Sequence, residues 1–546
     1  MKKEMTVAKA IVECLKLQGI DKVFSVPGES FLPLIDAFYD EPAIDFISTR
    51  HEGGASFMAE GYAKASLKPG VVMATRGVGA ANLSIGIHTA YQDSTPMIIF
   101  LGQVHRKFLG REGFQEVVLD QWLAPITKWA VELRDAERTP EIIQRAIRTA
   151  ISGRPGPVVI SLPEDILIET AEMVFGPPPK RPKPSISLSD IHQFEQILSK
   201  SKRPVIIAGG GIKWSESEDK LQSFAEKYSL PVITAFRRHD VFLNNHPLYA
   251  GHLSLATNKN VLDTIQQSDC VIVLGSRLSE VTTQDYSIIK STQKLIHVDI
   301  ANDVIGKIFQ PELGIVADLK EALIQLNTIN VMPTWKEWAL ERCKAYQESS
   351  GLKILANDVI NKHVIDILMN TLPKESIITN DAGNFAGWLH SFYKFNSKKT
   401  YIGPTSGAMG YGLPAAIGAK IARPNQVVVS LSGDGGFMMT VQELETAVRC
   451  RVPVIALVFN NQMYGTIRMH QEIHFPKRVI GTDLGEVSFK DLALSMGAKG
   501  YRVTTKEEFE NSLQEALKEN QLPSVIEIMT DPNQISVNKT IEQLRI

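Results

Sequence analysis

The stretch Leu431–Thr440, LSGDGGFMMT, sets a lone aspartate, Asp434, between Gly433 and Gly435 directly after the apolar run of QVVVSLS. About thirty residues on, Val452–Asn461 (VPVIALVFNN) ends a second apolar run in two amides, Asn460 and Asn461. Short β-branched runs that alternate with helical patterns and glycine turns predict parallel strands flanked by helices. Ligands of such sheets gather beyond the carboxyl ends of the strands, where both Asp434 and Asn461 fall. One carboxylate and one amide oxygen suit Mg²⁺, which takes one or two protein carboxylates and completes its shell with phosphate oxygens. The glycines let the backbone approach a diphosphate, and the following helix, TVQELETAVRC, turns its positive N-terminal end to the same anion. The plain alternative is a helix cap at Asp434 and a turn at Asn460 and Asn461. Either motif alone leaves these readings level; the pair favours the ligand site.

Working outward, the chain of 546 residues is several domains long, and 44% hydrophobic with 22% charged residues is the make-up of a globular protein. A formal net charge of −2 gives no field for a nucleic acid or an acidic membrane. Cys14, Cys270, Cys343 and Cys450 are scattered without metal-type spacing, which points to buried thiols in a reducing cytoplasm. The start, MKKEMTVAKAIVECLKLQGI, reads as an amphipathic helix, and no apolar run reaches membrane-spanning length. KVFSVPG, GVVMATRG, PMIIFLGQ and GPVVISLP are the strand runs of a first domain, residues 1–174. The proline-rich FGPPPKRPKP opens an extended linker, 175–190. A central Rossmann-like domain, 191–330, holds RPVIIAGGGIKW, PVITAF, CVIVLGSR and KLIHVDI. Its AGGGIKW lacks the third glycine and the acidic residue of a dinucleotide fingerprint and reads foremost as a strand-to-helix turn. A helical connection, 331–358, leads to a third domain, 359–546, with SIITNDAG, QVVVSLSGDGG, VPVIALVFNN and SVIEIM. The fold class is therefore α/β, with three doubly wound parallel-sheet domains.

GDG followed by NN resembles the thiamine diphosphate motif. RHEGGASFMAEGYAKAS, GIHTAYQDSTPMIIFLGQV, GREGFQE, PITKW, GAMGYGLPAAIGAK and NNQMYGTIR extend the likeness over nearly the whole chain to the acetolactate synthase group. The resemblance implies pyrimidine-binding, central and diphosphate-binding domains in that order. It also implies a homodimer or homotetramer whose cofactors lie between one chain's first domain and the partner's third. By the same resemblance Glu52 shares a proton with the aminopyrimidine ring, and the cofactor carries the chemistry on a 2-keto acid. Met409 supports the bent cofactor and the Gly407 carbonyl accepts from its amine. Gly433, Asp434, Gly435, Gly436, Asn461, Tyr464 and Asn384 hold the diphosphate end. The metal ligands are Asp434, Asn461 and the Met463 carbonyl. Gly28, Gln103, Phe114, Gln115 and Lys128 line the substrate entrance, with Gly28 also a cofactor-binding and Gln103 a catalytic candidate. His51 and His88 lie in matched stretches and read foremost as structural imidazoles.

Departures from the pattern bear on function. Where acetolactate synthases show G-x-R-F-D-D-R, GSRLSEV keeps Arg277 but has Val281 in place of the arginine that binds the acceptor's carboxylate. Arg237 and Arg238 in AFRRHD offer an alternative clamp. Asn384 stands for a glutamine and Phe385 for a histidine. Glu29, His470 and TRGVGAAN also depart, and GHLSLATN departs from the flavin-contacting segment, which leaves flavin adenine dinucleotide open. The leading expectation is a decarboxylating carboligase of the acetolactate synthase type. A 2-keto acid decarboxylase, carbon–carbon lyase or pyruvate oxidase on the same scaffold is the alternative. A non-catalytic cofactor-binding subunit is disfavoured by intact Glu52, Asp434 and Asn461.

Overall fold

A computed structural model describes residues 2–355 and 358–545. Each of three successive α/β domains is built on a six-stranded parallel sheet. Across the first sheet lie Asp45–Ser48, Lys22–Ser25, Gly70–Ala74, Met97–Gln103, Pro157–Pro163 and Trp129–Glu132. Across the third lie Tyr401–Ile402, Ile377–Asn380, Val428–Gly433, Ile455–Asn460, Ser524–Met529 and Lys499–Val503. Counted along each domain, both orders are 2-1-3-4-6-5, so the two domains share one topology. The central sheet runs Tyr249–His252, Val232–Thr234, Pro204–Ala208, Cys270–Leu274, Lys294–Asp299 and Leu313–Val316, the order 3-2-1-4-5-6 of a dinucleotide-binding fold.

The inner strands are buried on both faces, which is why they read as unbroken apolar runs. The chain starts with a strand, Lys2–Thr6, paired antiparallel to Thr170–Val174, and the amphipathic helix follows as Val7–Leu17. Residues 175–187 are neither helix nor strand, and a helix begins at Leu188, inside the expected linker. The expected helical connection contains Lys336–Ser349; residues 356 and 357 of it lie outside the described ones. All four cysteines are free, and Cys450 is half-buried rather than buried. No helix among the described residues is long and apolar enough to cross a membrane.

The first and third domains meet backbone to backbone along the helices Glu52–Ser66 and Gly412–Ala422. A Cβ on Gly61 would come within 2.4 Å of the Ala415 carbonyl oxygen, and one on Gly418 within 2.0 Å of the Met58 carbonyl oxygen. The small residues of HEGGASFMAEGYA therefore serve this contact, and Glu52 is carried at its edge.

Candidate active site

In the third domain the strand order reverses between Ile377–Asn380 and Val428–Gly433, and the crevice beyond their ends is bracketed by Asp381 and Asp434. Asp434 opens the short helix Asp434–Met438 and is 6% exposed. The backbone N–H groups of Gly435 and, from the second motif, of Gln462 and Met463 lie close enough to its carboxylate to pull it down, while the Gln462 and Met463 N–H groups donate to the Asn460 and Asn461 amide oxygens at 3.2 and 3.3 Å. The two motifs thus converge. Burial pushes this carboxyl up to about 6 against the pull of those amides. No ion pair among the described residues involves Asp434, and a buried carboxylate without a cation suits a metal that arrives with its ligand. Nor do the described residues hold any group of three or more His, Cys, Asp or Glu able to bind a metal alone. The available donors are one carboxylate, the Asn461 amide oxygen, which accepts from the Met463 N–H at 3.3 Å, and the Met463 carbonyl. This set fits Mg²⁺ completed by phosphate oxygens.

The loop is shaped for close approach. A Cβ on Gly435 would lie 2.7 Å from the Tyr464 ring, and one on Gly436 3.0 Å from an Asp381 carboxylate oxygen. The Tyr464 N–H is fixed on the Thr482 carbonyl at 2.9 Å. Asp381 is fully buried, and burial pushes it up to about 6. It accepts from the Gly410 N–H at 3.1 Å, and the Gly410 carbonyl accepts from the Thr440 hydroxyl at 2.7 Å, which fixes the half-buried Met409 one residue before. Gly407 has φ +70° and open space where a Cβ would stand. Asp381 was missed from sequence, although it follows its strand as Asp434 follows its own. The Asn384 amide is already engaged: it donates to the Ile535 carbonyl at 2.9 Å and accepts from Thr466 at 2.8 Å. Phe385 stacks on Phe459 and flanks Gly433.

The first-domain half gathers at the corresponding strand ends. Glu52 is the first residue of its helix and accepts from the Asn82 amide at 2.9 Å. His51 caps the helix, its Nδ1 accepting from the Gly53 N–H at 2.9 Å, while His88 is exposed. Gly28 packs on Thr75, where a Cβ would come within 2.8 Å. Gln103 is buried and pins the Phe114–Val118 segment, donating to the Val117 carbonyl at 2.7 Å and accepting from the Val104 N–H. Phe114 is 76% exposed, and the half-buried Gln115 holds φ +64° while its carbonyl accepts from Gly77. Lys128 is turned elsewhere: its amine donates to the Thr149 and Ser152 carbonyls at the end of helix Thr139–Ile151, and burial lowers it to about 8. No hydrogen bond joins Glu52 to Asp434 within the chain.

A cleft lies at the central sheet's own switch point, beyond Pro204–Ala208 and Cys270–Leu274. Arg154, Arg181, Arg238 and Arg277 line it together with Gly210 and Asp299, whose carboxyl burial pushes up to about 6. Gly209 and Gly211 let its two turns meet, since Cβ atoms there would come within 2.3 Å of the Gly275 carbonyl oxygen and 2.8 Å of the Gly275 Cα. Arg237 is 4% exposed, with Nε and Nη1 unpartnered and Nη2 3.5 Å from the Asp381 carbonyl oxygen. Arg238 is held by Asp93 and by the Arg237 carbonyl.

Comparison with known proteins agrees with this architecture. Family models for the thiamine pyrophosphate enzyme N-terminal TPP binding domain, central domain and C-terminal TPP binding domain match residues 5–123, 191–326 and 381–528. The chain belongs to the thiamine pyrophosphate (thiamine diphosphate) enzymes, in the acetolactate synthase large-subunit group. It is 34% identical to a probable acetolactate synthase large subunit of Methanocaldococcus jannaschii, covering 96% of this chain and 92% of that one. It is 33% identical to the acetolactate synthase large subunit of Lactococcus lactis (97% and 93% covered) and 33% to the isozyme 1 large subunit of Escherichia coli (97% and 95%).

Proposed function

We propose that the protein is a thiamine diphosphate- and Mg²⁺-dependent carboligase that decarboxylates a 2-keto acid and joins the remainder to a second carbonyl compound, as in acetolactate formation from pyruvate. The observation that carries this reading is the convergence of Asp434 with the Gln462–Met463 amides at a switch point, in a chain similar to acetolactate synthases along its length. When bound, thiamine diphosphate supplies a nucleophilic carbon and an electron sink. Asp434, Asn461 and the Met463 carbonyl would hold the metal, and the Gly435–Gly436 backbone would take the diphosphate. Glu52, steadied by Asn82, holds a proton for the aminopyrimidine ring. Met409 and Gly407 support that ring. The acting unit is a dimer, or a tetramer of such dimers. Exposed Val78, Val118 and Trp122 border the Glu52 half, and exposed Met438, Met439 and Ile467 border the Asp434 half, which suits a second copy closing each site. The arginine-lined central cleft has the charge for a dinucleotide diphosphate, and flavin adenine dinucleotide is its occupant in this reading. Four free cysteines are consistent with a cytoplasmic setting.

Val281 makes acceptor choice the sharpest test. A charge-assisted pair is worth about 1.5 to 3 kcal/mol, or roughly 10- to 100-fold in preference. Given pyruvate as donor and a second 2-keto acid competing with a size-matched aldehyde, the protein should favour the keto acid by less than about tenfold, and Val281→Arg should restore about tenfold or more. A strong keto acid preference that vanishes on replacing Arg237 or Arg238 would contradict this, although the burial of one and the Asp93 contact of the other weigh against it.

A further inference from the structure

The first turn of helix Glu52–Ser66 is held from outside its own domain. Glu443, the first residue of the third-domain helix Glu443–Arg449, is fully buried, and each of its carboxylate oxygens accepts from the Arg50 N–H at 3.3 Å. The Thr446 hydroxyl donates to it at 2.7 Å, and the neighbouring His51 backbone helps to pull it down. Two more contacts tie the same turn to the same helix: Arg449 donates to the Ser48 carbonyl at 2.6 Å, and the Arg50 guanidinium lies 3.9 Å from Glu445. This reach depends on a glycine, because a Cβ on Gly54 would stand 2.2 Å from Glu443 Oε1.

A carboxylate whose two oxygens share one backbone N–H, on a helix that also grips Ser48 and the Arg50 side chain, fixes the direction of the turn those groups belong to. Burial pushes Glu443 up to about 7, and no ion pair among the described residues offsets its charge. A buried, unpaired carboxylate costs stability, so its place is explained by what it holds. Glu52 stands two residues after the Arg50 amide.

We propose that Glu443 is a positioning residue for Glu52, acting from the third domain through the Arg50 amide to set where the Glu52 carboxyl points. The inference rests on the reading of Glu52 as the carboxyl at the cofactor ring. It also gives Glu443 a link between the two halves of one chain: the helix that holds the Glu52 turn follows directly on the segment that starts at Asp434.

Four variants test it: Glu443→Ala, Glu443→Gln, Gly54→Ala and the Gly54→Ala/Glu443→Ala double. In the cofactor-free full chain, amide hydrogen exchange of the segment 48–56 should quicken in Glu443→Ala and in Gly54→Ala, and less in Glu443→Gln, whose amide oxygen still accepts. In the holoenzyme kcat should fall about 10- to 100-fold for the same two variants, the cost of a catalytic group misplaced by an ångström or less, with the cofactor Kd changed less than about threefold. The double variant should be no worse than Glu443→Ala, because the added methyl then fills the space left by the carboxylate. Unchanged exchange and kcat in Glu443→Ala would overturn the proposal, as would a loss of kcat matched by equal loss of cofactor binding. Glu52→Gln is the control: if it leaves kcat intact, the Glu52 reading fails and the proposal with it, whereas a dead Glu52→Gln beside a fully active Glu443→Ala refutes the proposal alone.

Discussion

Replacing Asp434 by alanine is expected to abolish metal-dependent binding of thiamine diphosphate. The carboxylate is the only anionic group among the expected metal ligands, and it sits where the Asp434 and Asn461 motifs meet. Breaking a buried charged pair costs about 3 to 5 kcal/mol, two to four orders of magnitude in Kd. Because Mg²⁺ completes its shell with phosphate oxygens, metal and cofactor should be lost together. Calorimetric titration of both proteins, with metal and with a chelator, checks this. Tight binding that survives both the substitution and the chelator would show that Asp434 is only a structural carboxylate.

The second large effect concerns Glu52→Gln. The substitution keeps the size of the side chain and leaves an oxygen for the Asn82 amide to donate to, but it removes the exchangeable proton. Cofactor binding should therefore survive. Exchange of the thiazolium proton, followed by NMR, should slow by at least about a hundredfold, the ordinary size of general acid–base assistance. Exchange at the original rate would remove Glu52 from the chemistry.

How far the residues alone carried this site depended on what each structural feature demands of the sequence. Asp434 and Asn461 were legible because parallel strands buried on both faces must be continuous apolar runs, and a polar residue that ends such a run stands out. The edge strands Asp45–Ser48, Trp129–Glu132, Tyr401–Ile402 and Lys499–Val503 left no such trace, being short or half-polar with one flank unpaired. Asp381 had the same signal as Asp434 without a second motif at a fixed spacing to single it out. The role of Glu443 was invisible, because its distant partner lies nearly four hundred residues away and is a backbone amide, which any residue type supplies. Lys128 shows the converse: its matched segment pointed to the entrance, yet the end of a neighbouring helix offers its amine two carbonyls, and the side chain follows them.

The carboligase reading meets its most direct test in the fate of pyruvate. Purified protein with pyruvate, thiamine diphosphate and Mg²⁺, with and without added flavin, is followed by NMR of the reaction mixture. Acetolactate should form together with carbon dioxide, and neither should appear when the cofactor or the metal is left out; acetaldehyde as the sole product, or acetyl phosphate with peroxide, would contradict it.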